Sequence, residues 1–120
     1  MTISGVVVKG QGLGRVLGFP TANLAFFPAL PPGVYLAYVR TKEGLFPGVL
    51  AQGKKTEVHL LDFTGDLYGS KIEIEVDERI SDMIPWTTLE ELREKISHDI
   101  ENARYVFRHR PRKGRDCEHQ

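Results

Sequence analysis

The sequence predicts a mainly β protein: a closed barrel of short strands followed by one long C-terminal α-helix. Runs of β-branched and aromatic residues recur through the first two thirds of the chain, each bounded by Gly or Pro. The stretch Lys71–Asp77 alternates, with Ile72, Ile74 and Val76 on one side and Lys71, Glu73, Glu75 and Asp77 on the other. That is the pattern of a half-buried antiparallel strand. The period then changes, and Leu89, Leu92, Ile96, Ile100, Ala103 and Phe107 fall at gaps of three and four, as on one face of a helix. Short strands with frequent turns fit a closed sheet better than an open one.

In chain order, ISGVVVKG reads as a strand entering a glycine-rich loop. FFPALPPGVYLAYVR carries three prolines, then a turn, then a strand from about Val34 to Arg40. KEGLF reads as a turn, FPGVLAQG as a short strand, TEVHLLDF as a strand and TGDLYG as a hairpin connection. On the TEVHLLDF strand, Glu57, His59, Leu61 and Phe63 share one face, which makes Glu57 a carboxylate on a largely apolar surface. Thr87 with Glu90, and Thr88 with Glu91, both have capping-box spacing before the helix, and Pro111 and Gly114 end it. The total is five or six strands and one helix, with no internal repeat. Residues 1–107 are expected to form the barrel and helix, and 108–120 a basic tail.

With 120 residues, 41% hydrophobic and 27% charged, the chain fits one globular domain. No apolar run approaches a membrane span, and MTISGVVVKG is not a secretory signal. Cys117 is the single cysteine, so no internal disulfide can form, and a cytoplasmic monomer is expected. Net charge is zero, yet Arg104 to Arg115 holds five arginines, one lysine and no acid. Such a tail can bind nucleic acid, but it lacks interleaved aromatic residues. The other reading, cations complementing a helix C-terminus, is preferred, and no nucleic-acid partner is expected.

The loop GQGLGRVLGFPTAN concentrates Gly10, Gly12, Gly14 and Gly18 around Arg15. Glycines allow backbone N–H groups to form a concave anion nest, with phosphate as the natural guest, though such a loop is as often a plain turn. Neither the dinucleotide nor the Walker pattern of glycines is met. Thr21 and Asn23, two residues apart, point to one side of an extended segment and offer two neutral oxygens, which suits Mg²⁺ in a phosphate site. Bonding to their own backbone in a turn is the competing role. Glu57 is a candidate proton acceptor for an attacking hydroxyl, against the plainer role of a strand-end glutamate. The four histidines and Cys117 show no zinc spacing.

The strings GRVLGFPTANL, PPGVYLAYV, TEVHLLDFTGDLYG and LEELREKISHDIENAR occur in that order. Together they resemble the riboflavin kinase (flavokinase) family over most of the chain, from about Ile3 to Arg104. The resemblance implies a six-stranded Greek-key barrel with a C-terminal helix. It implies transfer of the γ-phosphoryl group of ATP to the 5′-hydroxyl of riboflavin, giving FMN and ADP with Mg²⁺. By position, Gly10, Gly12, Gly14, Arg15, Gly18 and Thr21 are then nucleotide-binding, Thr21 and Asn23 hold the metal, and Glu57 is the general base. The adenylyltransferase domain that many bacterial relatives carry is expected to be absent, because Met1 lies two residues before the barrel motif. The chain departs from the family in two places. Only KKT separates Gly53 from Glu57 where a longer loop is usual, and Ser81 stands where an arginine is usual. Arg79, placed on a loop, is expected to substitute on the flavin side. Trp86 is expected either to stack on the flavin ring or to staple the helix start. A flavin- or nucleotide-binding module of the same fold that has lost turnover is the alternative.

Overall fold

The computed structural model describes residues 1–8, 18, 21–25 and 30–109. Among these lie six strands: β1 (Thr2–Val8), β2 (Ala22–Leu24), β3 (Gly33–Thr41), β4 (Gly44–Gln52), β5 (Thr56–Leu60) and β6 (Lys71–Ser81). One helix, α1 (Leu89–His109), follows. All pairings are antiparallel, and the sheet closes in the order β1-β2-β5-β4-β3-β6. β3, β4 and β5 run as a meander. The chain then returns so that β6 lies beside β3, which is the Greek-key arrangement.

Alternation on β6 is as the sequence implies: Ile72, Ile74 and Val76 are buried, while Lys71, Glu73 and Glu75 are exposed. They join Val7, Leu24, Tyr35, Ala37, Val39, Leu50, Val58 and Leu60 inside the barrel. A second cluster lies outside the wall, where Val34, Leu36, Val49 and Leu61 meet Ile100 and Ala103 of α1. β3 is therefore buried on both faces, which is why GVYLAYV is almost continuously apolar. The helix packs on β4 and β6, and Tyr38 meets Phe107 edge-on at 5.3 Å.

Three local expectations change, and the helix cap narrows to one of the two pairs that the sequence offers. KEGLF is not all turn: only Lys42 and Glu43 span the tight β3–β4 hairpin, and Gly44 already pairs with Thr41. TGDLYG is not a hairpin connection, because β5 and β6 are not neighbours in the barrel. The chain turns after Leu60, with Asp62 at a φ of 58°, a left-handed conformation that few non-glycine residues adopt. Leu61 stays on the outer face with Glu57 and His59 and packs beneath α1, but Phe63 leaves it, packing against the barrel core and meeting Phe46 edge-on at 5.0 Å. Arg104 of α1 holds the turn by donating to both carboxylate oxygens of Asp62, at 3.0 and 3.2 Å. Finally, the reciprocal cap at the start of α1 is Thr88 with Glu91. The Glu91 N–H donates to Thr88 Oγ1 at 3.1 Å, and the carboxylate accepts from the N–H groups of Thr87 and Thr88.

Gly48, in β4 opposite Leu60, leaves no room for a side chain. A Cβ there would lie 2.8 Å from the His59 carbonyl oxygen. Gly48→Ala must push β5 away, and is expected to cost about 1–3 kcal/mol as overpacking. A urea melt with unchanged midpoint would contradict this.

Candidate active site

β2 is only three residues long, yet it fixes the site. It pairs with β1 on one side and β5 on the other, with Ala22 opposite Val58 and Asn23 opposite Glu57. Leu24 and Val58 point into the barrel core. Because side chains alternate, Asn23 and Glu57 both project from the other side of the ladder and are direct cross-strand neighbours. Thr21 lies two residues before Asn23 and reaches the same place, close enough to Glu57 for its hydroxyl to favour the ionised carboxylate. The hydroxyl, the amide and the carboxylate singled out in the sequence are thus brought together.

Glu57 is half-buried, and loss of water pushes its pKa above the usual carboxylate range. The nearby Lys55 ammonium and the Thr21 hydroxyl pull the other way without cancelling the shift. Asn23 is only 8% exposed, and its Oδ1 is buried with no hydrogen-bond partner among the described residues. Such an orphan acceptor is costly, so its presence needs a reason. A cation is one. Asn23 Oδ1 and the lone pairs of the Thr21 hydroxyl are neutral hard donors suited to Mg²⁺. Among the described residues, no group of three or more His, Cys, Asp or Glu side chains gathers as a metal site.

The short KKT turn still presents Glu57. The Gly53 N–H donates to the Lys55 carbonyl at 3.1 Å. Thr56 Oγ1 donates to Gln52 Oε1 at 2.7 Å, with both residues buried. This bond ties the last residue of β4 to the first of β5, immediately before Glu57. Gln52, Thr56 and Lys55 were not singled out in the sequence. Only their position in and beside a three-residue hairpin turn could have signalled them.

Of the glycine loop, Gly18 is described. Its φ of 94° belongs to the left-handed region that glycine adopts without strain. Gly10, Gly12, Gly14 and Arg15 lie outside the described residues. Arg79 is on strand β6, not on a loop. Its guanidinium donates to the Pro32 carbonyl and, at 2.6 Å, to Asp82. The backbone at Gly33 passes so close that a Cβ there would collide with Arg79 Nε. Trp86 is 42% exposed in the segment between β6 and α1. Arg79 and Trp86 have no described contact with Thr21, Asn23 or Glu57.

A Greek-key barrel that sets a desolvated carboxylate beside two neutral oxygen donors can take a proton from a hydroxyl and hold a hard cation. The chain belongs to the riboflavin kinase family: the flavokinase family model matches residues 1–107. It is 38% identical over 117 residues to the bifunctional riboflavin kinase/FMN adenylyltransferase of Haemophilus influenzae, covering 88% of this chain and 38% of that protein. It is 38% identical over 109 residues to the RNA-binding riboflavin kinase RibR of Bacillus subtilis, covering 82% of this chain and 47% of that protein. The crystal structure of riboflavin kinase from Trypanosoma brucei shares the fold, with a TM-score of 0.62 at 22% identity, covering 90% of this chain and 80% of that one. The chain spans less than half the length of these two curated relatives.

Among the described residues, no helix is long and apolar enough to cross a membrane.

Proposed function

We propose that this chain phosphorylates riboflavin, moving the γ-phosphoryl group of ATP to the ribityl 5′-hydroxyl to give FMN and ADP. The observation that carries the reading is the register of β2 with β5, which sets Glu57 against Asn23 and Thr21. Glu57 accepts the hydroxyl proton as the oxygen–phosphorus bond forms. The bond from the γ-phosphorus to the bridging oxygen breaks, and ADP leaves with the electron pair. Thr21 favours the ionised carboxylate and, with Asn23, provides the oxygens for Mg²⁺. When bound, the metal would neutralise phosphate charge. Gly10, Gly12, Gly14, Arg15 and Gly18 are assigned to the ATP phosphates, with Thr21 at the nucleotide edge. Arg79 and Trp86 are assigned to the flavin side. The protein is read as a cytoplasmic monomer whose partners are the flavin and the nucleotide, with 108–120 as a solvated basic tail. RNA binding is a property named for the Bacillus relative and is not carried over.

The test is incubation of the purified chain with riboflavin, ATP and Mg²⁺. FMN and ADP should appear in equal amounts. Flavin binding without FMN would instead mark a module that has lost turnover.

A pH profile gives a second check. The base must be ionised, and its pKa is raised by desolvation. The acid limb of kcat/KM for riboflavin should therefore lie above the usual carboxylate range. Lys55 lowers this pKa, so Lys55→Met should move the limb to still higher pH. A limb that stays in place would remove Lys55 from the electrostatics of the base.

A further inference from the structure

Asp99 stands on the face of α1 that packs against the barrel, beside Ile96, Ile100 and Ala103, and is only 5% exposed. A buried carboxylate there is costly unless both oxygens are paired. Both are. Ser81, the last residue of β6, donates its hydroxyl to Asp99 Oδ1 at 2.9 Å. Lys95, one turn earlier on α1, forms an ion pair with Asp99 Oδ2 and also donates to Ser81 Oγ at 3.0 Å. The three side chains close a ring that ties the end of β6 to the second and third turns of α1.

A buried ion pair is weak evidence for stability, because apolar residues of similar size often serve as well or better. Its contribution is geometric: the bonds are satisfied in only one register of helix against strand. Between β6 and α1 lies a short connection, residues 82–88, all exposed. Its far end is fixed by the Thr88–Glu91 cap. The connection carries Met83, Ile84 and Trp86 at 44%, 56% and 42% exposure. Met83 approaches the β4–β5 turn, since a Cβ on Gly53 would lie 3.0 Å from its Cε. That turn leads directly into Glu57. Three large apolar side chains are thus held in the open on a strap anchored at both ends, and one of them, Met83, reaches the turn that leads into Glu57.

We propose that Ser81, Lys95 and Asp99 are positioning residues that set this strap, and with it Trp86, for the planar apolar part of the acceptor substrate. The proposal rests on the kinase reading for its substrate but not for its geometry. Trp86 is the only tryptophan in the chain, so its fluorescence reports the strap whether or not the protein turns over. In Ser81→Ala and Lys95→Met, acrylamide quenching of Trp86 should rise about 1.5-fold as the strap loosens. The KM for riboflavin should rise about tenfold while that for ATP stays within about twofold, as expected of misplaced orientation on one substrate. Lys95→Arg, which can still pair with Asp99, should restore both. Lower thermal stability with unchanged quenching and unchanged riboflavin KM would overturn the proposal, as would an equal rise in both KM values. Ser81→Ala removes one oxygen and decides the matter if Lys95→Met fails to fold. If the wild-type protein makes no FMN, the kinase reading falls, and quenching with its rescue by arginine still decides whether the ring sets the strap.

Discussion

Glu57→Gln should lower kcat by about 10²–10⁴-fold, the range that a positioned general base supplies, while riboflavin still binds. Glutamine keeps the size of the side chain and an oxygen that can accept from Thr21, but it cannot take up the hydroxyl proton. The variant should not be less stable than the wild type. The folded-state pKa of Glu57 is raised, chiefly by desolvation. A raised carboxylate favours the protonated form, so the fold is most stable below the ordinary carboxylate titration and loses stability as pH rises through the folded value. At neutral pH the ionised Glu57 is a burden that glutamine removes. The expected result is therefore loss of FMN formation with a Tm equal to or above that of wild type. Near-normal turnover would take Glu57 out of the role. A large fall in Tm would mean that the carboxylate is structural.

The legible parts of the fold were those that use one simple period. The 2-residue alternation on β6 and the 3.6-residue face of α1 map directly onto burial. The six-strand count and the Greek-key order came from the resemblance of ordered motifs, because antiparallel order depends on contacts distant in sequence. β2 shows the difficulty. At three residues it is too short for a periodic signal, yet its register with β5 joins Asn23 to Glu57. The face assigned to Glu57 holds through Leu61 and fails at Phe63 for a similar reason: a left-handed Asp62, held by an arginine 42 positions away, ends the alternation. DERIS lacks the apolar alternation of the preceding KIEIEV, so the sequence gives no strand signal for Arg79. β6 nevertheless continues to Ser81, with register shifts where it passes β3. Asp99 was invisible as well. A lone acid among helical apolar positions looks like an exposed side chain until its partners on β6 and α1 are in place.

Asn23→Leu should separate metal binding from folding. Leucine has the same branch point and number of side-chain heavy atoms as asparagine and prefers a buried place, and it removes an acceptor that no described group satisfies. Leaving a buried acceptor unsatisfied costs about 1–3 kcal/mol, so the Tm of the variant should hold or rise. Function should move the other way. Changes in the shell around a metal's ligands already weaken affinity by about 10–100-fold, and loss of a direct oxygen should do no less. The Mg²⁺ concentration needed for half-maximal FMN formation should rise accordingly. Binding of Mn²⁺ in the presence of ADP, followed by its paramagnetic signal, should weaken in parallel without reference to turnover. Thr21→Ala should follow the same direction and also loosen Glu57, so its acid limb should shift to higher pH, whereas Asn23→Leu removes no hydrogen bond described for Glu57. Unchanged metal dependence in Asn23→Leu, or a sharp fall in its Tm, would show that Oδ1 serves the fold and not a cation.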